Sequence, residues 1–103
     1  MKHEVAYSDH VMEGQPVPVE AAGRNVLLVR SAAGLFALEN ACPHQRSTLE
    51  KGDVLSHSIR CPLHGVEIDL VDGSIVSDVG FIGLSPVQVF KVEETDGMIY
   101  LEI

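Results

Sequence analysis

The chain is 103 residues long, 46% hydrophobic and 21% charged, which fits one small folded domain and excludes a disordered chain. Fifteen Asp and Glu against seven Lys and Arg leave a net charge of −8, which argues against nucleic-acid binding through clustered basic residues, and the lack of Trp argues against stacking platforms. The longest aliphatic run, Val26-Leu27-Leu28-Val29, is far short of the ~18 residues of a membrane span, and residues 1–10 hold no apolar stretch after Lys2, so a soluble cytoplasmic protein is expected.

Along the chain the hydrophobic period is two. Val17 alternates with Val19, Val26 and Leu28 with Leu27 and Val29, and Phe36 with Leu38. Val66, Ile68 and Leu70 continue the pattern, followed by Val87 with Val89 and by Ile99, Leu101 and Ile103. Turn formers separate these runs at Ala22-Gly23, Ala33-Gly34, Lys51-Gly52-Asp53, Asp72-Gly73-Ser74 and Asp96-Gly97. Short strands joined by such turns predict an all-β antiparallel sandwich or small barrel. The pattern loosens over residues 40–64, which read as two loops flanking a weak hairpin, 53–56 against 58–60. A second irregular stretch covers 79–86.

Ligand-type side chains fall into two compact pairs, Cys42-Pro43-His44 and Cys61-Pro62-Leu63-His64, with sixteen residues between His44 and Cys61. On two hairpin tips such pairs converge on one centre, and each proline stiffens the turn after its cysteine. Two inert buried thiols beside two surface histidines would give the same letters. A disulfide is disfavoured in a reducing cytosol. A tetrahedral Cys₂His₂ zinc site is the chemical competitor, although structural zinc sites usually pair like with like. If the cysteines took one metal and the histidines another, the centre would be dinuclear and split by ligand type, as in a [2Fe–2S] cluster with two histidines on one iron.

These motifs, with Gly65 after the second, resemble the Rieske ferredoxin family. Leu49 and Gly52 stand where the family has Leu-x-x-Gly, and Asp69 and Gly73 match the strand and turn after the second motif. Gly34-Leu35-Phe36-Ala37-Leu38 is similar to the strand leading into the first motif, and Pro86, Phe90, Val92, Gly97 and Tyr100 to the last hairpin. The chain departs from the family in a longer 75–86 stretch and in Gln45-Arg46 after the first histidine. The resemblance implies a Rieske-like base of 1–39 and 71–103 with an inserted cluster-binding lobe of about 40–70. It implies Cys42 and Cys61 on one iron and His44 and His64 on the other, with one [2Fe–2S] cluster as cofactor and no catalytic residues.

In likeness the chain is nearest the small ferredoxin components of bacterial ring-hydroxylating oxygenase systems. That implies a monomeric one-electron carrier between two protein partners, a reductase and a terminal oxygenase. Two other readings are a non-catalytic small subunit of a nitrite-reductase-like enzyme and a zinc-stabilised interaction module. High-potential relatives have a second cysteine pair, and Ser and Tyr two and four residues after the last histidine. Here those positions are Val66 and Ile68, so a low potential is expected. His57 is read as a turn histidine, His3 and His10 as surface residues, Leu49 and Leu63 as shields of the centre or plain packing, and Phe81 as core. The acidic surface either steers the protein to basic partners or simply keeps it soluble.

Overall fold

One strand, β3 (Arg24–Ser31), organises the molecule. Its Val26, Leu27, Leu28 and Val29 have no solvent exposure, so the strand is covered on both faces. Because side chains alternate across a strand, the four residues divide between two cores. Val26 and Leu28 join Val11, Ala37, Phe90, Ile99 and Leu101. Leu27 and Val29 join Leu38, Leu49, Ile59, Ile68 and both cysteines.

The computed structural model describes residues 1–43, 48–63 and 65–103. The first core lies inside a six-stranded antiparallel sheet. It contains β1 (Lys2–Tyr7), β2 (Val17–Ala21), β3 and β4 (Gly34–Glu39), together with β9 (Val89–Thr95) and β10 (Met98–Glu102). The order is β1-β10-β9-β4-β3-β2, and the end strands β1 and β2 approach each other, so the sheet curls almost into a barrel. Two of its hairpins turn on Ala22-Gly23 and Asp96-Gly97, with φ of 52° and 75° and of 51° and 78°. Paired left-handed residues match the right-handed twist of the flanking strands.

Arg30 pins the start of the chain to this sheet. Its Nε donates to the Val11 carbonyl at 2.7 Å, and its two Nη atoms donate to the Glu94 carboxylate at 3.2 and 2.6 Å. The bond from Arg30 holds the Glu94 carboxyl below the usual carboxylate range and raises the guanidinium in turn.

The second core lies between β3 and β4 and a smaller antiparallel sheet of β5 (Asp53–Val54), β6 (Ser58–Arg60), β7 (Glu67–Asp69) and β8 (Ile75–Ser77), in that order. The expected weak hairpin is present, with Asp53 opposite Arg60 and Val54 opposite Ile59. Ser31 Oγ donates to the Ser56 carbonyl at 2.6 Å, which fastens this hairpin to the end of β3. At the β7–β8 turn, Asp69 Oδ1 accepts the Val71 N–H at 2.7 Å. Gly73 there has φ +77°, its carbonyl accepts the Val87 N–H at 3.0 Å, and an added Cβ would collide with the Val87 carbonyl oxygen. Only glycine lets the returning chain lie this close.

The all-β reading holds, with one difference in detail. β1 carries no apolar alternation because it is an edge strand, exposed along much of its length and bulged between Glu4 and Ala6. In the 75–86 stretch, residues 75–77 pair with β7 across the Gly73 turn, and 79–86 form no strand, as expected. Among the described residues no helix is long and apolar enough to cross a membrane.

Candidate metal centre

The first cysteine loop leaves β4 at Asn40 and ends where β5 begins. Asn40 donates its N–H to the Asn25 carbonyl at 3.1 Å, and its Oδ1 accepts the N–H of Leu49 at 2.8 Å. The Leu49 carbonyl then accepts from Gly52 at 2.8 Å. A Cβ on Gly52 would stand 2.6 Å from the Arg60 carbonyl oxygen and 3.0 Å from that of Leu49, so a glycine is needed where the loop rejoins the small sheet. Within this frame Cys42 and Leu49 are both fully buried.

The second loop tips the β6–β7 hairpin. The ladder that pairs Arg60 with Glu67 runs one step further, with the Cys61 N–H donating to the Val66 carbonyl at 2.8 Å. Gly65 donates to the Cys61 carbonyl at 3.1 Å and closes the turn. Cys61 is 2% exposed, and Val66 and Ile68 are fully buried. Arg60 Nη2 lies 3.5 Å from Glu67 Oε1, and Ser58 Oγ donates to Glu67 Oε2 at 2.7 Å, so the hairpin's outer face is knitted by polar groups.

The two cysteines thus arrive from different loops in one apolar core, and no disulfide joins them. Only Cys61 sits on a hairpin tip. Cys42 lies on the connection between the two sheets, because the strand after it, β5, pairs with β6 and not with β4. The other two motif residues, His44 and His64, lie outside the described residues, as do Gln45 and Arg46. The remaining histidines stay apart. His3 is on β1 opposite Leu101, and His10 packs edge-on to Tyr7 with ring centroids 5.4 Å apart. His57 is exposed at the β5–β6 turn, where its carbonyl accepts the Leu70 N–H. Among the described residues no three His, Cys, Asp or Glu side chains are grouped to hold an ion.

Leu49 is fully buried in the core that holds the cysteines, whereas Leu63, next to the second motif's histidine, is 57% exposed. Phe81 packs half-buried against the core that holds the cysteines. Asn40 was not singled out by the sequence reading. Its signal is that Phe36, Leu38 and Asn40 share one strand parity, so an amide occupies a core-facing position and needs a partner there.

Buried sulfur donors in an apolar pocket suit an iron–sulfur centre, which needs thiolates shielded from water. The Rieske [2Fe-2S] domain family matches residues 1–93. The chain belongs to that family. Its cofactor is therefore a Rieske-type [2Fe–2S] cluster, and the zinc alternative falls.

Several known proteins similar to this Rieske domain belong to dioxygenase systems, and others are the apoptosis-inducing factor 3 proteins of Homo sapiens and Mus musculus. Over 98% of the chain it is 31% identical to the carbazole 1,9a-dioxygenase terminal oxygenase component CarAa of Sphingomonas sp, and covers 29% of it. It is 27% identical to the anthranilate 1,2-dioxygenase ferredoxin subunit of Burkholderia cepacia, covering 98% of this chain and 91% of that one. The chain spans less than a third of the length of the first curated relatives it matches. Among solved structures, the ferredoxin of carbazole 1,9a-dioxygenase from Nocardioides aromaticivorans IC177 superposes with a TM-score of 0.86 at 25% identity, over 98% of this chain and 96% of that one. A complex of reduced oxygenase and oxidized ferredoxin in carbazole 1,9a-dioxygenase contains a chain matched with a TM-score of 0.83, 25% identity and coverage of 97% and 91%.

Proposed function

We propose that this Rieske domain is a monomeric one-electron carrier of the cytoplasm, taking electrons from a reductase and delivering them to a terminal oxygenase that hydroxylates aromatic rings. In this reading residues 40–70 form the cluster-binding lobe on a base of 1–39 and 71–103. Cys42 and Cys61 hold one iron, and His44 and His64 hold the other. The observation that carries the proposal is the convergence of Cys42 and Cys61, from two separate loops, in one core of a chain matched end to end by dioxygenase ferredoxins.

When bound, the cluster supplies a site that gains and loses one electron. The chain supplies the rest. Leu49, Val66 and Ile68, all fully buried, keep water from the sulfur side. The two loops offer backbone N–H groups as the donors able to tune the potential. Neither Val66 nor Ile68 has a hydroxyl to add a further bond, so added negative charge is less stabilised and the potential lies near the bottom of the roughly −150 to +300 mV family range. The −8 charge favours partners whose contact face is basic.

Purified protein is expected to contain two irons and two acid-labile sulfides per chain, with a rhombic EPR signal that appears on reduction. Stoichiometric zinc without sulfide would end the reading. Mixed with its reductase and a nicotinamide the protein becomes reduced, and alone with an aromatic substrate and oxygen it turns nothing over. A midpoint well above zero at neutral pH removes the low-potential part only.

A further inference from the structure

We infer that Asn40 is a positioning residue for the cluster: by taking the Leu49 N–H, its side-chain oxygen closes the mouth of the Cys42 loop and fixes where the Cys42 thiolate meets its metal. The inference rests on the proposed role of Cys42 as a ligand.

The bond spans nine residues at 2.8 Å, from the residue just after β4 to the residue just before the turn into β5. Both of its ends are out of water, since Asn40 is 8% exposed and Leu49 not at all. If the acceptor were removed, the Leu49 N–H could not turn to solvent without the loop moving. Asn40 is itself anchored, because its own N–H donates to the Asn25 carbonyl on β3. The amide therefore ties the connection between the two sheets to the most deeply buried strand. Leu38 and Cys42, two residues before and after it, enter the same core, so a shift at Asn40 is a shift at the sulfur. Among the described residues the Cys61 loop shows no side chain in this role, and its mouth is closed by the main-chain bonds Cys61 to Val66 and Gly65 to Cys61. Among the described residues, closing by side chain occurs in the loop that lies between two sheets.

The test uses cluster-loaded full-length protein and two readouts, the rate of iron release to a chelator and the EPR signature of the reduced form. Asn40→Leu, which keeps the volume and loses the acceptor, is expected to release iron about tenfold faster and to change the g-value spread. Asn40→Asp keeps an acceptor oxygen at the same reach and restores slow release. Ser31→Ala loses the bond to Ser56, outside both cysteine loops, and serves as a control for plain destabilisation. Its release rate changes only as its melting temperature does, with an unchanged EPR signature. If Asn40→Leu does not accumulate, Asn40→Ser takes its place, with a hydroxyl too short to span the gap and faster release expected. An unaltered EPR signature with release that merely follows melting temperature in every Asn40 variant overturns the inference. If the wild-type protein holds no iron–sulfur cluster, the proposed function fails instead, and the two failures are told apart by the iron and sulfide content of the wild type.

Discussion

The two cysteine loops reach the same core by opposite means. The Cys61 loop is an extension of a ladder, so its geometry is written in backbone hydrogen bonds that most side chains would tolerate. The Cys42 loop bridges two sheets and has no ladder to extend. It depends on two particular residues, the Asn40 amide at its mouth and Gly52 where it meets Arg60. A hairpin tip is robust to sequence and a crossing connection is not, so the Cys42 side is where substitution should most readily damage the centre without unfolding the domain.

The largest effect expected is common to both loops. Cys42→Ser or Cys61→Ser abolishes the cluster and lowers the melting temperature, because a bound metal centre contributes its binding energy to folding. His57→Ala leaves iron content and spectrum unchanged. Any cluster retained in Cys42→Ser would break the comparison at its root.

The next pair tests the asymmetry directly. Gly52→Ala drives a methyl group against two carbonyl oxygens and is expected to cost ~1–3 kcal/mol, read by denaturant unfolding. Gly65→Ala has the strained φ of +79°, but its nearest neighbour is the flexible Arg60 Cδ at 3.8 Å, so only the ~1 kcal/mol left-handed penalty applies. Equal losses would show that the two loops are equally constrained.

A subtler difference lies in electronics. Val66→Ser combined with Ile68→Tyr places hydroxyls on the Cys61 side and should raise the midpoint measured by voltammetry, provided they reach the sulfurs. Reduction by a partner should slow as salt rises, since exposed charges are screened beyond ~8 Å at physiological ionic strength. A rate flat across salt would leave the carrier role and remove the steering.

The smallest effect belongs to the base, away from both loops. Glu94 is stabilised as a carboxylate by Arg30, so its folded pKa lies below its unfolded one. The bond therefore adds stability above about pH 4.3, the ordinary Glu value, and that contribution fades as pH falls through the lower folded value. The pair is partly exposed, so Glu94→Gln should cost no more than ~1 kcal/mol at neutral pH and progressively less in acid, with the cluster spectrum unchanged.

Much of this was legible in the sequence, and the exceptions have physical causes. The strands that face a core announce themselves by alternation, as Phe36 with Leu38 and Ile99 with Leu101 do. β1 does not, because an edge strand buries little and its partner β10 lies at the other end of the chain. The cysteine pairs stand out because ligand chemistry demands particular residues at short spacing. Asn40 was hidden for the opposite reason, since its work is done on a backbone N–H nine residues away and no local spacing records that. His44 and His64 were named by their motifs and lie outside the described residues.

The burial of β3 on both faces has a consequence for how such a protein can change. Residue parity gives a single strand two separate addresses. Val26 and Leu28 speak to the barrel, Leu27 and Val29 to the compartment of the cysteines. Substitutions at even numbers can therefore adjust the durability of the scaffold while those at odd numbers adjust the surroundings of the redox centre, so one eight-residue segment lets the two properties drift independently.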